Sequence, residues 1–236
     1  MSEEEAKKYH EKQKIDSPQY RANLEASKEV AFRFAMDNRE LLEQAREKVF
    51  IATVGFTHSG KTVIVNELKK RVPYLVSVNS NQIHSVIDVK FTELADDNSI
   101  TGKGYYLRNI ITEEIREYLI ERLSEEGWWI ASDSANLKRN ERMQRFQVPR
   151  RLGYKTIILW IDLPQEEIAR RVMEADKEEQ RAGKIPVWFD LFEKVQKPAF
   201  EKPEEGEADV IISAENESFV IDMIMNNLNN FKGGDN

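Results

Sequence analysis

The chain has 236 residues and a net charge of −7, and 40% of its residues are hydrophobic, which predicts a globular protein and excludes attraction to nucleic acid or membrane through overall charge. It contains no cysteine, which excludes disulfides and thiolate metal sites. No apolar run approaches the roughly 18 residues of a membrane helix and the N-terminus lacks a signal-peptide layout, so we expect a soluble, cytoplasmic protein with no membrane partner.

The first 48 residues are mostly charged and helix-forming. Ser17 followed by Pro18 is typical of a helix start, with a cap and a proline in the first turn. Apolar residues recur after it at helical spacing, namely Leu24, Val30, Ala31, Phe34, Leu41, Leu42 and Ala45. We expect residues 1–48 to form a helical extension on the main domain, and an arm that binds a partner is the alternative.

From Val49 onward, short apolar runs alternate with amphipathic segments. In chain order the predicted elements are strand Val49–Gly55, helix Lys61–Arg71, strand Tyr74–Val78, helix Tyr105–Glu126, strand Trp128–Ser132, helix Leu137–Leu152, strand Thr156–Leu163, helix Gln165–Gln180, helix Pro186–Val195, strand Asp209–Ser213 and helix Ser218–Asn229. Pro149 is expected to kink or split its helix. The alternation predicts an α/β domain over residues 49–230, with a mostly parallel five-stranded sheet flanked by helices, and a disordered tail over residues 231–236.

The first predicted strand leads directly into a glycine-rich loop. Residues 55–62 read GFTHSGKT and match G-x-x-x-x-G-K-[ST] in full. Gly55 and Gly60 allow backbone angles that turn N–H groups toward phosphate oxygens, and the helix that follows favours anions at its N-terminus. Lys61 is expected to reach the β- and γ-phosphates, and the Thr62 hydroxyl to hold Mg²⁺. The sequence therefore predicts a nucleoside triphosphate site.

The other residues of this loop are assigned to the same nucleotide site: Thr57, His58 and Ser59. We interpret His58 as facing solvent or the edge of the nucleotide rather than as a catalytic group. No N-K-x-D sequence of the kind that reads guanine is present, so ATP is the default nucleotide and GTP is not excluded.

An acidic residue follows the third predicted strand. Asp133 comes directly after the apolar run Trp128–Ser132. In a P-loop fold, an aspartate there lies at the carboxyl end of the sheet, where it can hold Mg²⁺ directly or through water. Asp162, which closes the next strand, is interpreted as a helix cap. Asp133 is thus the second predicted metal ligand.

With these pieces in order, the chain from about Val49 to Ser213 resembles the P-loop kinases of the polynucleotide 5′-hydroxyl kinase type. Their broader relatives are small-molecule phosphotransferases and zeta-toxin-like enzymes. Beyond the loop, the likeness is carried by DSANLKR at 133–139, IDLP at 161–164, RR at 170–171 and RAGKIP at 181–186. The resemblance implies a nucleoside-kinase-like P-loop NTPase fold, ATP and Mg²⁺ as cofactors, and transfer of the γ-phosphoryl to a hydroxyl. In the arginine-rich lid that it implies, Arg181 is the first candidate to stabilise the transferred group, and Arg171 is the second.

The resemblance breaks at the acceptor site. These kinases carry D-x-x-R after the second strand, where this chain reads Asn81-Gln82-Ile83-His84. Asparagine is not basic in water, and histidine replaces arginine as a donor only when it is protonated. Three interpretations stay open. His84 is the base, Asp133 serves as the base, or acceptor phosphorylation is lost and the protein binds or slowly hydrolyses nucleotide.

A strongly basic segment follows Asp133. Residues 138–151 read KRNERMQRFQVPRR, with six basic residues and one acidic residue. In the kinase interpretation this helix lies near the acceptor, so Arg139 and Arg142 join Asn81 and His84 in the predicted acceptor pocket and steer a phosphorylated or polynucleotide acceptor. A solvated helix face is the alternative. Besides a kinase, the sequence therefore allows a nucleotide-binding regulatory module, or a nucleic-acid-binding protein that uses this helix; nucleic acid is an allowed but not a required partner.

Overall fold

The structure is a computed structural model that describes residues 17–36, 47–95, 103–214, 222–224 and 226. In chain order its elements are α1 (Pro18–Met36), β1 (Val49–Val54), α2 (Lys61–Arg71), β2 (Leu75–Asn79), α3 (Ser80–Lys90), α4 (Thr92–Ala95), α5 (Lys103–Glu126), β3 (Trp129–Asp133), α6 (Arg139–Arg151), β4 (Lys155–Ile161), α7 (Gln165–Arg181), α8 (Trp188–Asp190), a π-helical turn (Leu191–Gln196), α9 (Lys197–Ala199) and β5 (Val210–Ala214).

Five parallel strands form the sheet, in the order β2-β3-β1-β4-β5. Every residue of the central strand β1 is buried, as its uninterrupted apolar run predicts. β1 lies between β3 and β4. The next two strands in the chain, β2 and β3, lie on one side of β1, and the last two, β4 and β5, lie on the other side, so the direction of strand addition reverses at β1. In open α/β sheets, ligands bind at the carboxyl ends of the strands beside such a point. The predicted five-stranded α/β fold with a helical N-terminal segment is confirmed.

Two apolar clusters hold the sheet and the loop that follows β1. In the first cluster, Ile64, Val65 and Leu68 of α2 pack against buried residues of β1, β3 and β4. The second cluster joins Phe56, which lies in the glycine-rich loop, to residues from three other segments, namely Leu137, Ile168, Val172 and Phe192. Each fully buried side chain of this size stabilises the fold by roughly 1.5–3 kcal/mol. The loop after β1 is therefore anchored in the core at Phe56.

Two compact units are distinguished within the chain. One contains α1, α3, α4 and α5 as far as Leu119, and the other contains the sheet, α2, the end of α5 and the elements that follow it. Within the first unit, the Asn23 side chain donates to the Lys90 carbonyl at 3.2 Å, and the Tyr20 ring lies 5.3 Å from Phe91. The domain boundaries expected at residues 48 and 230 remain predictions, and residues 231–236 lie outside the described part of the chain.

Some elements differ from the sequence predictions. α3 and α4 were not predicted. The helix expected at Pro186–Val195 is divided between α8 and the π-helical turn. α6 runs unbroken past Pro149, so the helix is not split there, and it ends two residues later. A kink at Pro149 stays a prediction. Most of the expected helix Ser218–Asn229 lies outside the described residues.

None of the helices in the described part of the chain combines the length and the hydrophobicity that crossing a membrane requires.

Candidate functional site

The loop between β1 and α2 has a conformation that only glycine accommodates at its first position. Gly55 has a φ of +154°, and its N–H donates to the Ala135 carbonyl at 3.1 Å. A Cβ atom there would lie 2.9 Å from Ser59 Oγ and 3.3 Å from the Ile161 carbonyl oxygen. Gly60, with a φ of 97°, precedes α2 in the left-handed region. The two motif glycines are thus required by local geometry.

The loop N–H groups fall into two sets. In the first set, three N–H groups donate to acceptors within the protein. The N–H of Gly55 donates to the Ala135 carbonyl, that of Thr57 to Gln196 Oε1, and that of Ser59 to the Phe56 carbonyl. No described residue accepts the N–H groups of the second set, which belong to His58, Gly60, Lys61 and Thr62. Consecutive N–H groups without protein acceptors, at the start of a helix, form a concave site for an anion.

The Lys61 ammonium is folded back onto this loop. It donates to the Phe56 carbonyl and lies 3.4 Å from Ser59 Oγ. Burial lowers the pKa of Lys61 to about 8, and the charge of Asp133 opposes that shift. An ammonium held away from water by neutral oxygens is stabilised by any anion that enters the loop.

Asp133 and Thr62, the two predicted metal ligands, are brought together. Thr62 forms a side-chain hydrogen bond with the Asp133 carboxylate, and the Asn79 amide also donates to it. Asn79 and Asp133 are paired in register at the ends of β2 and β3, which explains their contact. Burial raises the pKa of Asp133, while the hydrogen bonds from Asn79 and Thr62 and the charge of Lys61 oppose the shift.

A hydroxyl and a carboxylate are ligands that Mg²⁺ accepts, because it binds hard oxygen atoms. Among the described residues no group of three or more His, Asp or Glu could hold a metal ion by itself. Thr62 and Asp133 could therefore hold Mg²⁺ if nucleotide oxygens and water supplied its remaining ligands, as is usual in phosphoryl-transfer sites.

His58 connects the loop to α7 and α8. It has a φ of 56°, and its ring lies 5.0 Å from the Trp188 ring, edge to face. Burial lowers the pKa of His58, and the Lys61 charge lowers it further. Arg171 Nη1 lies 3.4 Å from the His58 carbonyl oxygen, and Arg171 Nε donates to Glu167. The structure thus brings Arg171 to the loop, whereas Arg181 ends α7 exposed to solvent.

The sequence predicted a helix at Pro186–Val195 but not that this segment and the residues after it support the loop. Phe56 lies 5.1 Å from both Phe192 and Phe200, and Gln196 Oε1 accepts the Thr57 N–H at 2.8 Å. Nothing in the loop motif announces these partners. The only available signal was the apolar spacing of residues 188–200.

A second missed residue, Asn136, holds the turn after β3. It has a φ of 46°, which asparagine tolerates better than most residues. Its amide donates to the Thr53 carbonyl at 2.6 Å and to the Ser132 carbonyl at 3.1 Å, and its oxygen accepts from Ser134 at 3.0 Å. The adjacent Ala135 accepts the Gly55 N–H. Asn136 therefore fixes the start of the phosphate loop relative to Asp133.

The basic helix α6 is neutralised by acidic residues near β5. Arg142 has no exposed surface, and it donates Nε and Nη2 to the two Glu207 oxygens at 2.7 and 2.9 Å. Its Nη1 donates to the carbonyls of Asn136, Leu137 and Glu201. Burial raises the pKa of Glu207, but the hydrogen bonds from Arg142 and from the Glu204 N–H outweigh burial and leave that pKa below its ordinary value.

The prediction that Arg142 lines an acceptor pocket is therefore wrong, because the side chain has no exposed surface and all three guanidinium nitrogens donate inside the protein. Arg139 is exposed, but its guanidinium lies 2.6 Å from Glu204 and its N–H donates to Glu201. Much of the charge that this helix carries in the sequence is thus balanced in the fold.

The predicted acceptor residues lie on α3. Asn81 is exposed in the first turn, and the half-buried His84 follows one turn later. Burial lowers the pKa of His84 to about 4, the charges of Arg108 and Arg116 lower it further, and that of Glu113 opposes them. His84 is therefore neutral at physiological pH and cannot replace an arginine as a cation.

The two arginines near His84 are held by both ends of α3. Arg116 donates to the Ser80 hydroxyl at 2.8 Å, and Arg108 pairs with Asp88 at 2.7 Å. Ser80, His84 and Asp88 follow each other at intervals of one helical turn, so they share one face of α3. A polar seam between α3 and α5 results, with His84 at its middle.

A model of a protein family described as an AAA domain matches residues 50–189. This match spans more than half of the chain. The chain belongs to the AAA domain family. The match begins in β1, contains the glycine-rich loop and Asp133, and ends in α8.

Solved structures support the same fold. A chain of the PezAT chromosomal toxin–antitoxin system of Streptococcus pneumoniae superposes with a TM-score of 0.57 at 12% identity, and 86% of each chain is covered. A candidate kinase from Chloroflexus aurantiacus J-10-fl gives a TM-score of 0.58 at 10% identity, covering 79% of this chain and 99% of that chain. No curated protein sequence matched the chain. The predicted resemblance to P-loop kinases is confirmed at the level of family and fold.

Proposed function

We propose that this AAA domain protein is a phosphotransferase that uses ATP and Mg²⁺ and moves the γ-phosphoryl to a hydroxyl acceptor. One observation carries the proposal: N–H groups without protein acceptors, the Lys61 ammonium and the Thr62–Asp133 pair meet at the carboxyl end of β1 and β3. Family membership and the kinase-like fold support it. ATP as the donor agrees with the cytoplasmic location expected from the sequence.

The loop binds the donor phosphates. The N–H groups of His58, Gly60, Lys61 and Thr62 donate to phosphate oxygens, and the Lys61 ammonium leaves the Phe56 carbonyl for the β- and γ-phosphates. The backbone dipoles are already oriented before the phosphates arrive, so little reorganisation is needed when charge develops on the transferred group.

Thr62 and Asp133 would hold Mg²⁺, and Asn79 keeps the carboxylate oriented toward it. The bound ion would neutralise charge on the β- and γ-phosphate oxygens. Arg181 is proposed to stabilise the phosphoryl group during transfer, and Arg171 to support the nucleotide from the side of His58.

His84 is our candidate for the proton acceptor. Its pKa of about 4 leaves the imidazole neutral, so it can accept a proton at physiological pH with the basicity of an ordinary aspartate. That basicity is sufficient where phosphoryl transfer demands little of a base. Asp133 is less available for this role, because its carboxylate accepts from Asn79 and would hold Mg²⁺. Asn81 and His84 would then line the acceptor pocket, whereas Arg139 has less support for that role because it pairs with Glu204.

The test is to follow the labelled γ-phosphoryl of ATP with and without hydroxyl acceptors, including a 5′-hydroxyl oligonucleotide and small polyols. We expect label on an acceptor only when Mg²⁺ is present, and its loss in Lys61→Met and Asp133→Asn. His84→Gln should slow transfer without weakening ATP binding. Label that reaches only water, at a rate unchanged by His84→Ala, would contradict a kinase.

The replacement at Asn81 and His84 supports one second candidate, a nucleotide-binding regulatory module without a phosphorylated acceptor. Nucleotide-dependent partner binding without phosphoryl transfer would favour it. Nucleic-acid binding through α6 has weaker support, since Arg139 and Arg142 are paired with glutamates. Oligonucleotide binding that weakens steeply with salt would restore that interpretation.

A further inference from the structure

The π-helical turn Leu191–Gln196 places an amide side chain against the phosphate loop. Gln196 Oε1 accepts the N–H of Thr57 at 2.8 Å across 139 positions of sequence. A π-helical turn accommodates one more residue than an α-helical turn, and such turns are frequent at functional sites. This contact belongs to none of the motifs that point to the nucleotide.

Three N–H groups of the loop donate to acceptors within the protein, and that of Thr57 is the middle one. Its neighbours in that set, Gly55 and Ser59, donate to the main-chain carbonyls of Ala135 and Phe56. Only Thr57 donates to a side chain. A point substitution can therefore remove the acceptor of the Thr57 N–H, whereas the acceptors of the other two N–H groups are main-chain carbonyls that every residue has.

We propose that Gln196 is a positioning residue for phosphate binding. By holding the Thr57 N–H, it fixes the turn in which His58 takes its left-handed φ of 56°. That turn sets the direction of the N–H groups of His58 and Gly60, which have no acceptor among the described residues. This inference rests on the proposed function, because it assumes that the loop binds nucleotide phosphates.

Contacts other than the Gln196 amide hold the π-helical turn in place. Phe192 is fully buried, and its ring meets Phe56 at 5.1 Å and 84°. The N–H groups of Trp188 and Phe189 both donate to Asp176 at 2.9 Å. Removing the amide should therefore leave the segment folded and affect the loop alone.

Two substitutions separate the hydrogen bond from its surroundings. Gln196→Ala removes the acceptor, and a single net hydrogen bond of this kind corresponds to about a fivefold weaker Kd for MgATP. Gln196→Glu keeps an acceptor of the same shape, so it should restore the hold on Thr57. Gln147→Ala is the matched control, since Gln147 is an exposed glutamine on α6.

The experiment measures the Kd of MgATP by calorimetry and the hydrogen exchange of the Thr57 amide in the full chain. We expect Gln196→Ala to exchange faster at Thr57 and to bind MgATP about fivefold more weakly. Gln196→Glu should keep slow exchange, and Gln147→Ala should match wild type in both measurements. Melting temperatures of all variants show whether each is folded.

An unchanged Kd in Gln196→Ala, with wild-type binding of MgATP intact, would overturn this inference and leave the proposed function standing. So would fast Thr57 exchange in Gln196→Ala without any change in affinity. If Gln196→Ala does not fold, wild-type exchange at Thr57 in Gln196→Glu supports the inference, and fast exchange there overturns it. Failure of the wild-type chain to bind MgATP would overturn both.

Discussion

The arginines of α6 and α7 are held in opposite ways. On α6, Arg142 is fully buried and receives its counter-charge from Glu207, 65 positions further along the chain. On α7, Arg170 and Arg171 pair with Glu167, one turn away on the same helix, and Arg181 ends the helix exposed to solvent.

This difference indicates which arginines could exchange their protein partner for a ligand. A distant acid that accepts from two guanidinium nitrogens fixes two segments to each other, and the charge is balanced within the fold. An acid on the same helix leaves the guanidinium near solvent, where such pairs contribute little and exchange partners readily. By this criterion α6 is a structural helix, and α7 is the helix whose arginines can move to a phosphate.

The sharpest way to test the comparison is Arg181→Ala. If Arg181 stabilises the transferred phosphoryl group, kcat should fall about a thousandfold, which corresponds to about 4 kcal/mol of activation free energy. The melting temperature should not change, because the side chain is exposed. Arg170→Ala is the matched control on the same helix, and an equal loss of kcat in both variants would contradict a specific role.

Arg142→Ala should show the opposite pattern. It leaves the Glu207 carboxylate buried without its partner, so the free energy of unfolding should fall by about 3–5 kcal/mol. Urea unfolding measures the loss, and ATP affinity of the folded protein should not change. Arg139→Ala, which removes an exposed pair with Glu204, should cost no more than about 1 kcal/mol. Similar losses in the two variants would refute the distinction.

His84 extends the comparison to a basic group whose charge the fold disfavours. Its folded pKa of about 4 lies below the ordinary value of 6.5, so the unfolded chain binds the proton more tightly. The contribution of this titration to the free energy of unfolding is therefore fully present above pH 6.5. It is lost as the pH falls toward 4, which lowers the free energy of unfolding by roughly 3 kcal/mol. We expect His84→Gln to lose that much less stability than wild type between pH 7 and 4. Parallel stability curves would show that the folded pKa is not depressed.

Lys61 gives the smallest expected effect, in the pH dependence of nucleotide binding. Its pKa of about 8 means that the free protein loses the ammonium above that pH, so binding must then take up a proton. The Kd of MgATP should be constant below pH 7.5 and weaken above pH 8, by up to about tenfold per pH unit. Lys61→Arg, which stays charged, should remove this dependence. A constant Kd up to pH 9.5 would contradict the depressed pKa.

Sequence alone predicted what is encoded locally. The strand, loop and helix around Lys61 follow from one short motif, and Asp133 follows from its position at the end of an apolar run. The roles assigned to these residues stay predictions. α3 was missed because it begins at Ser80, directly after β2, without any turn residue to separate them.

The rest depended on contacts between distant segments. Arg142 reads as a surface residue until Glu207 is placed beside it, and Gln196 reads as an ordinary helical glutamine until the π-helical turn directs it to Thr57. No periodicity or spacing marks either residue, because both are defined by tertiary packing. The low pKa of His84 likewise depends on burial first and then on two arginines of another helix.

The contact between His58 and Trp188 gives this protein an optical signal of its own. Of its four tryptophans, Trp128, Trp129 and Trp160 are at most 8% exposed, whereas Trp188 is only half-buried and touches the loop. Indole emission depends on the polarity and contacts of its surroundings, so filling of the loop should change the fluorescence of Trp188 above a steady background. Ligands could then be screened on the unlabelled protein, with Trp188→Phe as the silent reference.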